Sequence, residues 1–593
     1  MDISRTLKKE LQPGNSFFLK HNLLWIMLSI CMTAWAQNPR MEWHHGYGTS
    51  KEEHVHEGWQ TSDKGFIGIG QNEEKGGSRT NILVVKTDSL GTQEWITELG
   101  TIDEWDVGIT VHETTGGFII GGGLYNEETG RQDRALAKLD HQGQVVWQHT
   151  YQGSKASAIR GIDINEQGEI IATGYTNCWD DGYTFIAEES DGFVMKTDSS
   201  GAVIWDKPIS APQGTKVRME KSGGFAIVST MWVYSGGRDH QDVVLIRTDR
   251  EGNEIFSKNY GGERSDQCFD FDLALDGGYI LAGHTRSYGV ANWDYLLMKI
   301  DSSGNEEWVK TFGQPRGYNP DWIHDESYGV RSTPDGGYVV AGGSGDEYSY
   351  SASGHPAGRS DEWKAYLVKT DSAGKLLWEG VYPPTSVGNN AAEFVALTVD
   401  GGFIVFTDTD SQSPPAPNNF GFMKIEADTI TGSSFIEMTL TIEGEGDVYP
   451  RNRFHVKDSA LTLTASPADG WDFLGWSGDV SGSENPITIT PIENLIVQAT
   501  FQNTAGLSES TRNPIRIYPN PATSGQVTIT SPNILDDATF FLYDLSGREI
   551  QRKQVKLSGI NEVSLELDND RNGIYILRVS TLNNSTFSKL IVE

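Results

Sequence analysis

Cysteine is almost absent: the 593-residue chain has 3. Cys31 sits in an N-terminal apolar run, and Cys178 and Cys268 fall two repeats apart, too far for an obvious bridge. A disulfide framework is therefore excluded, and the last two read as buried free thiols. Positive charge is also scarce. Against 81 Asp and Glu stand 47 Lys and Arg, a formal net charge of −34, which argues against nucleic acid and other polyanions as partners. No like-charge run forms a tail, so the acid is spread over a solvated surface. The apolar run LLWIMLSICM (23–32) is too short to span a bilayer, and no other segment comes closer. Nucleophile-elbow, zincin and phosphate-loop signatures are missing, so no residue is assigned a catalytic role and no cofactor is expected. What is abundant is glycine, 67 residues, with 10% aromatics. That mixture suits many tight turns between short strands.

The N-terminus reads as an export signal. Arg5, Lys8, Lys9 and Lys20 precede the apolar run, and Ala34-Trp35-Ala36 offers a small-x-small cleavage site, so residues 1–36 are expected to be a signal peptide.

The next four hundred residues repeat themselves. KTDSLGTQEW at 86 returns as KLDHQGQVVW, KTDSSGAVIW, RTDREGNEIF, KIDSSGNEEW and KTDSAGKLLW, with a worn copy around Glu426. A second marker precedes each copy, ending at Phe66, Phe118, Glu169, Phe225, Tyr279, Tyr338 and Phe403. Two independent markers that each count seven point to stacked or radial units. Within one unit, FDFDLALDGGYILAG and WDYLLMKIDSSGNEEWVKTF read as two hairpins, the first turning at Asp276-Gly277 and the second at Asp301 to Gly304. Four strands in roughly fifty residues is the signature of a β-propeller blade. The expectation is an all-β chain: a seven-bladed β-propeller over 37–432, followed by two small β-rich domains.

Closure of the ring is legible too. The last Lys-x-Asp strand, FMKIEAD (422–428), lacks a tryptophan strand after it, and the first tryptophan strand, MEWHHGYG (41–48), lacks a partner before it. Pairing the two is predicted to latch the ring. The repeated unit resembles the tryptophan-docking repeat of propellers of the pyrroloquinoline-quinone type. The paired vicinal cysteines of those enzymes are absent, so the resemblance carries architecture and no cofactor.

Two C-terminal stretches carry sharper resemblances. Gly444-x-Gly446, Ala465-x-Pro467, Gly470-Trp471-x-Phe473-x-x-Trp476, Asp479, Asn485-Pro486 and Ala499-Thr500-Phe501 make residues 437–502 resemble a divergent internalin-type B-repeat. Its aromatics are expected to form its core. After a linker at 503–514, residues 515–593 resemble the type A C-terminal sorting domain of type IX secretion substrates. Pro519, Asn520, Pro521, Asp544, Gly547, Arg548, Gly573, Tyr575 and Lys589 carry that likeness. The resemblance implies a small β-sandwich read by the type IX secretion machinery. It also implies display outside the cell or on the outer face of the outer membrane.

Function is expected on the propeller's long connections. In a blade of antiparallel strands the Asp-Gly and Ser-Gly turns leave from one face, and the long variable loops leave from the other. Those loops hold Trp179, Asp180, Asp181, Tyr183, Trp232, Tyr234, Tyr288, Trp293, Asp346, Tyr348, Tyr350 and Trp363. Aromatic faces beside carboxylates suit stacking on sugars or capture of peptide. The reading is a binding or adhesion module for glycan or peptide. An extracellular carbohydrate-active enzyme or peptidase, or a purely structural surface protein, are the alternatives. A cluster of His, Tyr, Arg or facing carboxylates at the channel mouth points to the enzyme, and an aromatic-lined shallow face points to binding.

Three polar patterns remain. Asn81, Asp133, Asp191, Asp242, Asp294 and Asn419 stand seven residues before their repeat anchors, with Lys364 breaking the series. They read as strand-entry caps or a ring of acids. His54-Val55-His56, with His44 and His45 nearby, lacks fixed ligand spacing and is not read as a metal site. Asp568 to Gly573 resembles the start of a calcium loop, but Val579 stands where the closing Glu belongs.

Overall fold

The structure, a computed structural model, describes residues 38–592 apart from 74–78, 101–103, 179–188, 317–319, 347–361, 384–387, 411–418, 429–434, 450–453, 504–515, 531–537, 545–548, 556–561, 568–572, 581–584 and several gaps of one to three residues. Among the described residues every regular element is a strand, and no helix is long and apolar enough to cross a membrane. The expected signal peptide lies outside the described residues.

Strands Glu52–Gln60, Phe66–Glu73, Thr80–Thr87 and Gln93–Leu99 pair antiparallel in chain order. The same four-strand set recurs from Val107–Thr114 to Val145–Tyr151, from Ala156–Ile164 to Val203–Pro208, from Lys216–Met219 to Glu254–Tyr260 and from Asp266–Leu273 to Glu306–Phe312. The following set, Ile323–Ser332 to Leu376–Tyr382, touches the one after it through a single parallel pair, Lys364 with Asn390. That next set runs from Asn390–Leu397 to Asn419–Ile425 and takes its fourth strand from the other end of the chain. Met41–Tyr47 pairs antiparallel with it, from Met41 opposite Ile425 to Tyr47 opposite Phe420, as the unpartnered ends of the sequence predict. The first strand of each set packs against the first strand of the next, and Asn390–Leu397 packs against Glu52–Gln60. The sheets are thus arranged as in a propeller, with the first strands around a common axis.

The repeated decapeptide holds this arrangement together. Asp88 Oδ1 accepts hydrogen bonds from Leu90 N at 2.9 Å and Thr92 N at 2.8 Å, which fixes the turn between third and fourth strands. Asp140, Asp198, Asp249, Asp301 and Asp371 make the same pair of bonds. The repeated lysine is a buried clip: Lys86 Nζ reaches Asp63 and Glu94, both at 2.9 Å, and Thr87 O at 2.8 Å. It ties one hairpin turn of the set to the other.

The tryptophan reaches across to the next set. Trp95 lies 5.9 Å from Phe118, Trp205 5.9 Å from Phe225, Trp308 6.0 Å from Tyr338 and Trp378 6.0 Å from Phe403, each partner at the start of the second strand of the following sheet. Trp95, Trp205 and Trp308 also lie on the glycine of the neighbouring turn, at Gly143, Gly252 and Gly374. A Cβ on Gly252, whose φ is +78°, would sit 2.7 Å from the Trp205 ring. This position therefore needs glycine twice, for its left-handed backbone and for the indole that covers it. Apolar clusters form between successive sheets, one of them joining Phe394, Phe406 and Phe422 to Val55 and Leu83. Cys178 and Cys268 are buried and in no disulfide.

The C-terminal strands form two sheets. Gln526–Thr530 lies between Arg516–Tyr518 and Glu562–Glu566 in one sheet. The other has the order Glu549–Val555, Ala538–Asp544, Gly573–Ser580, Ser585–Val592. Val527, Ile529, Phe540, Leu577 and Leu590 fill the core of these strands. In the preceding stretch, Trp476 is buried and donates to Glu484 O at 2.9 Å, and Phe473 packs on Phe501 at 5.6 Å.

Gly130 provides a control for the covered glycines, because its φ is +67° but nothing lies within 4 Å of a Cβ there. Gly252→Ala is expected to cost about 1–3 kcal/mol more than Gly130→Ala in urea unfolding, the usual range for overpacking. Equal costs would remove the indole contact from the account of this turn.

Candidate functional site

The axis is lined by the first strands, and their sequences explain what fills it. In six of them the ladder to the second strand skips one residue: His56, Ile109, Arg160, Phe269, Tyr328 and Glu393. Such a bulge re-aims a side chain and bends the strand. Just beyond the bulges lies a charged layer sealed from water. Glu57, 1% exposed, accepts from Thr110 Oγ1 at 2.9 Å, Val111 N at 3.2 Å and Trp59 Nε1 at 3.2 Å, and is ion-paired with Lys216. Asp270 pairs with Arg331 at 2.5 Å and Arg218 at 3.5 Å. The Arg331 guanidinium lies over Phe394 at 4.2 Å and Trp59 at 4.6 Å. Burial alone would raise the Glu57 carboxyl; Lys216 and His112 instead bring it down to about 2.

Above this plug, toward the edge where the long loops leave, is a mouth lined by ionisable groups. His54 Nδ1 meets Asp408 Oδ2 at 2.8 Å, and Asp408 Oδ1 accepts Val55 N at 2.9 Å. The Asp408 carboxylate outweighs burial and holds the His54 ring at about 9, so it is cationic at neutral pH. Glu326 accepts from Tyr328 Oη at 2.6 Å and lies 3.2 Å from His324 Nδ1. Burial opposes its charge, but those contacts keep it at about 2. Glu393 behaves oppositely. Burial, reinforced by repulsion from Asp408 and Glu326, holds its carboxyl well above the usual carboxylate range. Burial depresses His56 to about 3 and His284 to about 4, so both rings are neutral. His284 stacks on Phe269 at 4.9 Å and meets the Trp293 ring edge-on at 4.9 Å.

The loop residues expected to bind ligand are only partly brought together. Trp179, Asp180, Asp181, Tyr183, Tyr348 and Tyr350 lie outside the described residues. Trp293 joins the mouth through His284. Tyr288 is 42% exposed with φ +54°, and Tyr234 is 72% exposed on the hairpin that also carries Trp232. Trp363 lies over Gly343, its ring 2.6 Å from a Cβ built there, and Asp346 ends the strand Tyr338–Asp346. A separate cavity of about 760 Å³ opens by Asn177, Asp191 and Met231 and contains the 2.6 Å Arg134–Asp206 pair. Sequence reasoning singled out His54 and His56 but missed Glu326, Tyr328, Glu393, Asp408 and His284. A signal existed: HDESYGVRS and NAAEFVAL place ionisable groups inside strands that begin a repeat, where an innermost strand has to stand.

Among the sorting-signal residues, Asp544 opposes Tyr575 and Gly573 opposes Val592 in the C-terminal sheet, Lys589 opposes Ile576, and Asn520 is exposed. Pro519, Pro521, Gly547 and Arg548 lie outside the described residues. Residues 516–593 match the family described as secretion system C-terminal sorting domain, and 436–505 match the divergent InlB B-repeat domain. The type IX sorting domain marks the protein for export and for cell-surface or outer-membrane-associated localisation, and it implies the secretion machinery as partner. No curated protein matches the chain. Among solved structures, the Neurospora crassa Pan2 WD40 domain is similar at 10% identity and a TM-score of 0.40, over 66% of this chain and 96% of that one. The β-propeller domain of the Pyrococcus furiosus Trilobed protease is similar at 10% and 0.34, over 63% and 94%. Puromycin hydrolase is similar at 12% and 0.36, and this chain spans 53% of its length. Likenesses this distant carry no functional argument.

Two measurements check the axis. Glu57 contributes stability that is present above its unfolded value of 4.5 and is lost as pH falls toward about 2. Lys216→Met is expected to cost about 3–5 kcal/mol, and adding Glu57→Gln to recover part of it, because the single change strands a buried carboxylate. In an NMR titration His54 should lose its proton near pH 9, and Asp408→Asn should bring that transition below 6.5. An unmoved His54 would dissolve the pair.

Proposed function

We propose that this surface-displayed protein is a binding module that takes a hydroxyl-rich glycan, or a peptide of similar polarity, into the axial mouth. The supporting observation is the cluster of polar groups, His54, Glu326, Tyr328, Glu393 and Asp408, that the strands bring together next to the Glu57–Lys216 layer. Glu393, whose carboxyl is held well above the usual range, and neutral imidazoles can donate or accept there, ionised Glu326 accepts, and Trp293 offers an aromatic edge. Uncharged polyols are recognised by such mixed donors and acceptors beside an aromatic ring. The B-repeat and sorting domain then serve as spacer and export signal, which suits adhesion.

A second reading rests on one feature of the same mouth. The Glu393 carboxyl is held well above the usual carboxylate range while Glu326 is held low, an asymmetry of the kind by which paired carboxyls cleave glycosidic bonds. Of the two outcomes set for the mouth, the cluster of His, Tyr and carboxyls is the one it contains, and that observation favours this second reading.

A glycan array with the purified protein, followed by hydrolysis assays on every sugar that binds, separates the readings. For a binding module, Glu326→Gln and Glu393→Gln weaken retention and no product forms with any variant. For a hydrolase, the same changes abolish turnover while leaving glycan retention largely intact. No retention of glycans or peptides on such arrays would remove both readings.

A further inference from the structure

The acid series near the start of the third strands meets a second series near the start of the next set's first strand. Asn81 Oδ1 and Asp106 Oδ2 converge on Gly100, at 2.6 Å and 2.5 Å from a Cβ built there. Lys364 meets Asn390 in the parallel pair. At two junctions both partners are carboxylates: Asp242 with Asp266 around Gly261, and Asp294 with Asp325 around Gly313.

Those two junctions differ in compensation. Asp266 accepts from Gly262 N at 2.7 Å, Ser287 Oγ at 2.8 Å and Thr285 Oγ1, and His240 lies 3.5 Å from Asp242. At the other junction, Asp325 is 0% exposed and uses only Oδ2, which accepts from Gln314 N at 2.8 Å and Nε2 at 3.3 Å. Asp325 Oδ1 makes no hydrogen bond of normal length, and neither do two neutral oxygens beside it, Gln314 Oε1 and Ser344 Oγ. Ser344 is also 0% exposed and is the ladder partner of Asp325. Arg316 is the nearest guanidinium, and its Nη atoms donate to the Glu362 and Ser344 carbonyls, both at 2.9 Å. Glycine at 313 leaves the space between the carboxylates open: a Cβ there would lie 2.7 Å from Asp294 Oδ1 and 2.9 Å from Asp325 Oδ2.

We propose that Asp294, Asp325, Ser344 and Gln314 form a binding site for a hard divalent cation, with calcium as the ion that an all-oxygen donor set favours. The half-buried Asp294 carboxyl and the buried Asp325 carboxyl repel each other across that space. An ion there would neutralise the pair and clamp the sheet ending at Phe312 to the one beginning at Ile323, beside Trp293, whose carbonyl accepts Asp325 N at 2.8 Å.

The test uses the whole protein, stripped with a chelator and titrated with calcium alone by calorimetry, with terbium luminescence as a second readout. One site is expected in the range of roughly 10⁻⁴–10⁻³ M usual for extracellular modules. Asp294→Asn and Asp325→Asn should each weaken it by at least ~10-fold, the scale on which lost ligand-shell groups act. Ser344→Ala, which keeps both carboxylates, should weaken it by less, and this mild change covers the case in which an Asp variant misfolds. Asp266→Asn and Asp568→Ala should leave it unchanged. The proposal is overturned if the stripped protein binds no calcium, if Asp568→Ala removes the binding, or if the folded Asp294, Asp325 and Ser344 variants all bind as the parent does.

Discussion

One contact recurs at almost every seam of the ring: an aromatic side chain of a fourth strand laid across the glycine of the neighbouring hairpin. Sheets that twist do not mate flat, and a wide indole fills the wedge left between them. The contact also explains the rest of the decapeptide. The aspartate shapes the turn, the glycine lets the ring approach, and the lysine ties that turn to the other turn of its own sheet. Each residue is fixed by geometry, so repetition of the motif reports architecture and leaves chemistry to the residues that vary.

Variation is concentrated at the centre. Where the first strands crowd the axis there is no room for large hydrophobic layers from every sheet, and charged side chains cross the space instead. Glu57 and Lys216 come from different sheets, as do Asp270, Arg218 and Arg331, so their pairing braces the ring from within. Buried ion pairs are weak sources of net stability, yet each is costly to break singly. The layer therefore fixes which strands face each other.

The architecture was legible because it is repeated. Two markers per unit gave the strands, the turn residues gave the hairpins, and the orphan strands at either end gave the closure seen between Met41–Tyr47 and Asn419–Ile425. The B-repeat and sorting signals were legible because short turn motifs specify them locally. The mouth was not. Glu326 and Glu393 stand on first strands of different sets, and only the curvature of the ring brings those strands to one axis; Asp408 joins them from the strand paired with that of Glu393. Their bulges add a register skip that alternation of residues cannot show. The loop aromatics were found by composition, but composition does not say which of them reach the axis; of those named from sequence, Trp293 does, by way of His284.

Completion of the last sheet by a strand from the opposite end of the propeller has a kinetic meaning. No intermediate in which the sheets assemble one after another can finish the circle, because residues 41–47 have no partner until residues 419–425 are in place. Until then two unpaired strand borders stay open, each a template for a neighbouring chain. The entropic toll of joining such distant segments rises only logarithmically with the length between them. The circle thus closes late and all at once, and for an exported chain the hazard falls in the interval before that last strand docks.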